Sequence, residues 1–289
     1  MKDYELLSKN FMGLEASYND ANIVLFGAPF DSTCSFRPGT RFASQLMRKE
    51  FIGLETYSPY LDLDLTDCSI CDYGDLDLPM GDISSTLDQI ESLVYQIAND
   101  GKIPLMIGGE HGLSLGAFRA INKVHPNFEI IQFDAHTDLR NDYLGLKLSH
   151  ASVMRRAHEL VGDGKLHQFA IRSGEKDEFE WAKAHSDLHK FNFDGLKELT
   201  ENLKKKQTPV YFTLDLDVLD PSVFPGTGTP EPGGVSFNEL REAITVLSGL
   251  NIVAFDIMEL SPPYDQSGIS TAAACKILRE LLLIFSNRH

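Results

Sequence analysis

The run Ile130-Ile131-Gln132-Phe133, followed at once by Asp134-Ala135-His136-Thr137-Asp138, constrains the chain more than any other stretch. An apolar segment of the strand type ends in three side chains able to hold a metal. Alternate residues of an extended chain point to one side, roughly 6.5 Å apart. Asp134, His136 and Asp138 therefore face a common point if the strand runs on or curls there. Groups of this kind crowded together repel one another or stay desolvated unless a cation joins them. Taken alone, the stretch supplies only three ligands.

Strands and helices alternate along the rest of the chain. Ile23-Val24-Leu25-Phe26 reads as a buried strand ending at Gly27, and the helix after it is expected to turn Phe42, Leu46 and Met47 inward. Leu61–Leu65 alternates so that its acids form a solvated face. After a short strand near residues 69–72, Ser84 or Ser85 is expected to cap a helix with Leu87, Ile90, Leu93, Val94 and Ile97 on one side. Further strands are expected at 103–107, 129–133, 166–171, 186–191, 209–214 and 252–257, and Ser236-Phe237-Asn238-Glu239 forms a capping box. The pattern predicts an α/β fold, a three-layer α/β/α sandwich on a mostly parallel sheet of about eight strands. No Pro/Gly tract or charge block divides the 289 residues, so 1–289 is expected to be one domain, with 1–20 as a lead-in whose Phe11-Met12-Gly13-Leu14 patch docks on the body or on a neighbouring subunit.

The balance of 26 Lys+Arg against 42 Asp+Glu, a formal charge of −16, disfavours nucleic acid or an anionic membrane as partner and suits a small cationic ligand. Neither a secretory layout at Met1-Lys2-Asp3-Tyr4-Glu5 nor a run near the ~18 apolar residues of a membrane span is present, so a cytoplasmic protein is expected. Cys34, Cys68, Cys71 and Cys275 are too few for a disulfide framework. The lone pair Cys68/Cys71 falls on opposite faces of an extended segment and is read as structural thiols.

Three strands end in ligand-type residues: His111, the Asp134/His136/Asp138 set, and Asp215 with Asp217. In a parallel sheet all strand C-termini share one edge, where open α/β sheets place their sites, so these six side chains can converge. Four carboxylates balance two divalent cations. Carboxylates and imidazoles without thiolate suit Mn²⁺, though Zn²⁺, Fe²⁺ or Co²⁺ fit the same groups. Two ions about 3.5–4 Å apart bridging one water would deliver hydroxide at neutral pH.

With Gly108-Gly109-Glu110-His111, Asp134-Ala135-His136-Thr137-Asp138, Asp215-Leu216-Asp217-Val218-Leu219-Asp220-Pro221, Pro225-Gly226-Thr227-Gly228-Thr229-Pro230-Glu231 and Asp256-Ile257-Met258-Glu259 in this order, the chain resembles the ureohydrolase family of arginases and agmatinases from Gly27 to Ser270. The resemblance implies an arginase-like fold with two Mn²⁺ ions. It places His111 and Asp138 on one ion and His136 and Asp217 on the other, with Asp134 and Asp215 bridging. It further implies that Asp138 orients the hydroxide and passes on its proton, that His150 is the proton-shuttle residue, and that Glu259 holds a substrate guanidinium, with trimers or hexamers as the assembly. The other histidines, His125, His158 and His167 among them, have no such support and are read as structural or solvent-exposed.

The segment 138–151 resembles that of bacterial agmatinases, which implies hydrolysis of agmatine to putrescine and urea; Glu175 is a candidate for the substrate's ammonium end. Arginase, guanidinobutyrase and formiminoglutamase activities are the alternatives within this chemistry. A binuclear phosphoesterase is disfavoured by the lack of a Gly-Asn-His-Glu segment, and a non-catalytic role by the six intact ligand positions. Gly112 and Ala151 depart from the Ser and Gly usual in the family, which bears on local hydrogen bonding and loop flexibility around the site.

Overall fold

The computed structural model describes Phe11 and residues 13–286. In chain order the elements are β1 (Ile23–Ala28), α1 (Ala43–Glu50), β2 (Tyr57–Ser58), β3 (Leu63–Asp64), β4 (Ile70–Asp75), α2 (Ile83–Asn99), β5 (Ile103–Gly108), α3 (Ser114–Val124) and β6 (Glu129–Phe133). They continue with α4 (Val153–Val161), β7 (Leu166–Ile171), α5 (Lys176–His185), β8 (Asp187–Lys190), α6 (Leu196–Lys206), β9 (Pro209–Asp215), α7 (Phe237–Val246), β10 (Asn251–Met258) and α8 (Ile269–Ser286).

Eight strands form one sheet in the order β4-β1-β5-β10-β9-β6-β7-β8, and every pairing in it is parallel. Both faces are covered, so strand residues on either side are apolar. Ile23, Leu25, Phe212, Leu214 and Phe133 pack towards α1, α6, α7 and α8. Val24, Phe26, Ile130 and Tyr211 pack towards α2, α3, α4 and α5. Rings of Phe169, Phe193 and Phe212 surround Phe133, with centroids 6.0, 4.6 and 5.0 Å away, and so anchor the strand end from which Asp134 departs.

Phe11 and Leu14 are buried, and Phe11 meets Phe51 edge-on, so the apolar patch near the N-terminus docks on the body as expected; residues 1–10 and Met12 lie outside the described residues. Two local expectations are corrected. Asp82 caps α2 by accepting from Ser85 N, leaving Ser84 and Ser85 inside the first turn. Met47 is buried as expected, but Phe42 is half exposed and Leu46 only partly buried, and α1 turns Ala43 and Ser44 inward beside Met47. Cys68 and Cys71 are free thiols. Among the described residues no helix is long and apolar enough to cross a membrane.

The β6–β7–β8 edge carries a lateral clasp. His167 Nε2 lies 2.8 Å from Glu129 Oε2 and its Nδ1 3.0 Å from Asp187 Oδ2. Burial alone would depress this imidazole, but Asp187 and Glu129 outweigh it and raise its pKa above 6.5. A raised folded-state value stabilises fully below the unfolded pKa and is lost as pH rises through the folded one. The stability difference between the wild type and His167→Gln, from urea unfolding across pH 5.5 to 9, should therefore be largest at the acid end; a difference that grows with pH would contradict this origin.

Candidate metal-binding and active site

The four central strands β5, β10, β9 and β6 deliver the site at their C-terminal ends. After β5 the chain turns through Gly109, where a Cβ would sit 1.8 Å from Phe30 O, and His111 opens a short 3-10 turn into α3. At β6 the strand stops at Phe133, so Asp134, His136 and Asp138 do not share a strand face; a curled loop, with Asp138 at φ 52°, brings them together. Asp215 ends β9, and Glu259 follows β10 at φ 66°. Such positive values strain non-glycine backbone and persist only where surroundings enforce them. Here the Asp138 carbonyl accepts from Met154 and Arg155 N, while Glu259 N donates to Gly109 O.

Three carboxylates are built alike, with one oxygen fixed by a backbone N–H and the other turned inward. Asp134 Oδ1 accepts from His136 N at 2.6 Å, Asp215 Oδ1 from Asp217 N at 2.9 Å and Asp217 Oδ1 from Ala135 N at 3.1 Å. The inward oxygens converge on the imidazoles. His111 Nδ1 lies 3.0, 3.2 and 3.2 Å from oxygens of Asp134, Asp138 and Asp215, and His136 Nδ1 lies 3.0 Å from Asp217 Oδ2. Asp134 contributes to two separate triads, one with His111 and Asp215, the other with His136 and Asp217.

The proton positions around His111 show what this donor set suits. Tyr211 Oη and Thr213 Oγ1 both donate to the buried Asp256 carboxylate, at 2.7 and 2.6 Å. Thr213 Oγ1 therefore accepts from His111 Nε2, 2.9 Å away, which leaves Nδ1 as the atom facing three carboxylate oxygens. That buried Nδ1 has no hydrogen-bond partner. Carboxylates and imidazoles crowded together with almost no solvent need positive charge between them, and their number and type fit a pair of hard-to-borderline divalent ions.

The electrostatics agree. Burial would lower His111 and His136, but Asp134, Asp138 and Asp215 push the first, and Asp217 and Asp134 the second, well above their usual range. Burial and the nearby Asp134 charge lift Asp138 to about 7. Burial, then Asp217 and Asp134, raise Asp215 far above the carboxylate range. Positive charge is what this pocket demands.

A cleft of about 470 Å³ opens over the cluster, lined by His150, Glu259, Tyr143, Arg140, Glu175 and Thr229 among others. Glu259 Oε1 accepts from His111 N at 2.8 Å, and burial pushes this carboxyl up to about 8. His150 Nδ1 is buried without a partner; burial, then His136 and His111, lower its pKa to about 4, so the ring is neutral. Glu175 stands at the mouth, 3.1 Å from Arg140. Gly112 lies against the turn that carries His150, where a Cβ would be 3.1 Å from His150 N.

Sequence reasoning missed the groups that hold this site. Gln132 Nε2 donates to Asp134 Oδ2 at 2.6 Å, and Gln168 donates to Gln132 Oε1 at 2.6 Å. Glu178 accepts from Thr137 Oγ1 and Leu139 N. Arg172 donates to the carbonyls of Asp217, Val218 and Glu231, tying together the loops after β9. The signal for Gln132 and Thr213 is spacing: each stands two residues before a ligand-type Asp, on the last turn-free stretch of an otherwise apolar strand.

Comparison with known proteins agrees with this geometry. The Arginase family model matches residues 21–284. The agmatinase of Bacillus subtilis is 45% identical over 280 residues, covering 96% of this chain and 96% of its own. The agmatinase of Bacillus anthracis is 44% identical over 278 residues, covering 95% and 96%. The crystal structure of the agmatine ureohydrolase of Thermoplasma volcanium superposes with a TM-score of 0.88 at 35% identity, over 96% of this chain and 94% of that one. With a family match and relatives of this similarity spanning nearly its whole length, the chain belongs to the arginase family and is an enzyme of the ureohydrolase type.

Proposed function

We propose that the chain hydrolyses agmatine to putrescine and urea, with two Mn²⁺ ions held by His111, Asp134, His136, Asp138, Asp215 and Asp217. His111 and Asp138 would serve one ion, His136 and Asp217 the other, and Asp134 and Asp215 both. The observation that carries the proposal is His111 Nδ1 set among oxygens of Asp134, Asp138 and Asp215, beneath a cleft that also holds Glu259. When bound, a pair of divalent cations supplies the Lewis acidity that makes water a nucleophile at neutral pH.

The chain's own residues do the rest. Glu259 accepts guanidinium N–H groups and sets the central carbon over the cluster; its Oε1 is steered by His111 N, so the carboxylate is oriented before substrate arrives. A cationic guanidinium also favours the ionised form of this buried carboxyl. Asp138, at the edge of the cluster, is placed to take the proton released by the nucleophile and hand it towards the leaving amine. His150, neutral and half-buried beside Tyr143 with ring centroids 5.6 Å apart, relays protons between the cleft and solvent. Glu175 would meet the distal ammonium. Arg140 and Lys176 line the same cleft, and these cations favour a second reading, a guanidino compound ending in a carboxylate.

Urea release by Mn²⁺-loaded protein from agmatine, arginine and 4-guanidinobutyrate decides between these ends. Agmatine should be turned over with the largest kcat/KM; preference for either carboxylate-bearing compound would overturn the agmatine assignment. His150→Ala should lower kcat about 10²- to 10⁴-fold with a smaller change in KM, and an unchanged kcat would remove His150 from proton transfer. Thr213→Val keeps shape but frees the His111 tautomer, so Mn²⁺ affinity should fall about 10- to 100-fold and excess Mn²⁺ should restore activity. Unaltered Mn²⁺ binding would show that Thr213 does not position His111.

A further inference from the structure

Far from the cleft, a second cluster of metal-ligating side chains joins the C-terminal ends of α4 and α5. His158 Nε2 lies 2.8 Å from Asp163 Oδ1, and His185 Nδ1 lies 2.7 Å from the same oxygen. The three donor atoms lie within 4.8 Å of one another. The rings are held in place by Trp181, which stacks on His185 with centroids 4.4 Å apart and meets His158 edge-on at 4.7 Å. Arg155 lies over Trp181 at 3.8 Å. A ligand set already ordered by packing loses little side-chain freedom on binding.

We propose that His158, Asp163 and His185 form an accessory metal site, separate from the catalytic cluster, that takes a borderline divalent cation of the Zn²⁺ class and ties α4 to α5. Two imidazoles and one carboxylate are the donor types of Zn²⁺ rather than of Mg²⁺ or Ca²⁺, and three protein ligands leave a fourth position for water. The side chain of Asp163 is 67% exposed while those of His158 and His185 are 16% and 35% exposed, so the cluster is open to solvent, most of all at the carboxylate. Binding requires each ring to turn a nitrogen lone pair to the ion and to carry its proton on the nitrogen away from Asp163.

The site would work at a distance from chemistry. Each helix has its N-terminal end at the cleft, α4 after the turn carrying His150 and α5 after Glu175. A tie at their far ends would stiffen the outer frame without touching substrate. His158, read from sequence as structural or solvent-exposed, gains a role because His185, the third member of the cluster, lies beyond β7 in the chain.

Full-length protein preloaded with Mn²⁺ is titrated with Zn²⁺ by calorimetry, and in parallel with Co²⁺ by visible absorption. The wild type should bind an equivalent of Zn²⁺ that both His185→Ala and Asp163→Asn lose, should show tetrahedral Co²⁺ bands absent from both variants, and should gain melting temperature on Zn²⁺ addition. Urea release without added Zn²⁺ should be the same in all three. Asp163→Asn keeps the shape of the turn, so it answers the question should His185→Ala fold poorly. Equal Zn²⁺ stoichiometry and affinity in the wild type and Asp163→Asn would overturn the proposal and leave the cluster a hydrogen-bonded clasp.

Discussion

Repulsion among carboxylates buried at the ends of β6 and β9 is the constraint on which the rest of the structure depends. Asp134, Asp215 and Asp217 are almost solvent-free, and charges of one sign placed so close would protonate or move apart if left to themselves. They are kept in place because each has one oxygen committed to a backbone N–H. Those N–H groups belong to the curled ends of the strands, so the parallel sheet and its covering helices together position three negative charges. The arrangement stores unfavourable electrostatics that a cation relieves, and ion binding should be coupled to the stability of the strand ends.

Beneath the carboxylates runs a polar rung through the sheet. The register pairs Gln168 with Gln132, Gln132 with Thr213, and Thr213 with Asp256, across β7, β6, β9 and β10. All four are fully buried, and their neighbours along the strands are mostly apolar. Such groups cost stability unless every polar atom finds a partner. Here the partners are the site itself: Gln132 donates to Asp134, and Thr213 links Asp256 to His111. The rung thus sets side-chain orientation and tautomer from below while the loop backbone sets it from above.

This division explains what was legible in the sequence. Asp134, His136, Asp138, His111, Asp215 and Asp217 stand at strand ends, and parallel strands share one edge, so their convergence followed from order alone. Gln132 and Thr213 were hidden because each interrupts an apolar run only once, and a single polar residue does not alter the strand pattern; Asp256 stood in the Asp256-Ile257-Met258-Glu259 run without a role of its own. The loop geometry was less accessible still. Strand alternation was one of two routes to convergence for Asp134–Asp138, and the observed one depends on a left-handed Asp138 that no spacing announces. Contacts across elements, such as Arg172 to the loops after β9, arise only once the sheet order is known.

Specificity must reside where the constraint is weakest. The ends of β5, β6, β9 and β10 are over-determined by hydrogen bonds, whereas the mouth of the cleft is closed by Arg140 and Glu175, whose ion pair is partly exposed. Exposed pairs of this kind contribute little to stability and rearrange readily. Arg140 also lies over the Tyr143 ring, 4.8 Å from its centroid, so it has an alternative resting place when Glu175 turns to another cation. A substrate ammonium would compete with Arg140 for Glu175, and a substrate carboxylate would compete with Glu175 for Arg140. The same two residues can therefore accept or reject opposite charges at the distal end, while Glu259, fixed by the backbone N–H of His111 at the other end of the cleft, stays unchanged. That separation lets the family's chemistry persist while the far end of the substrate varies.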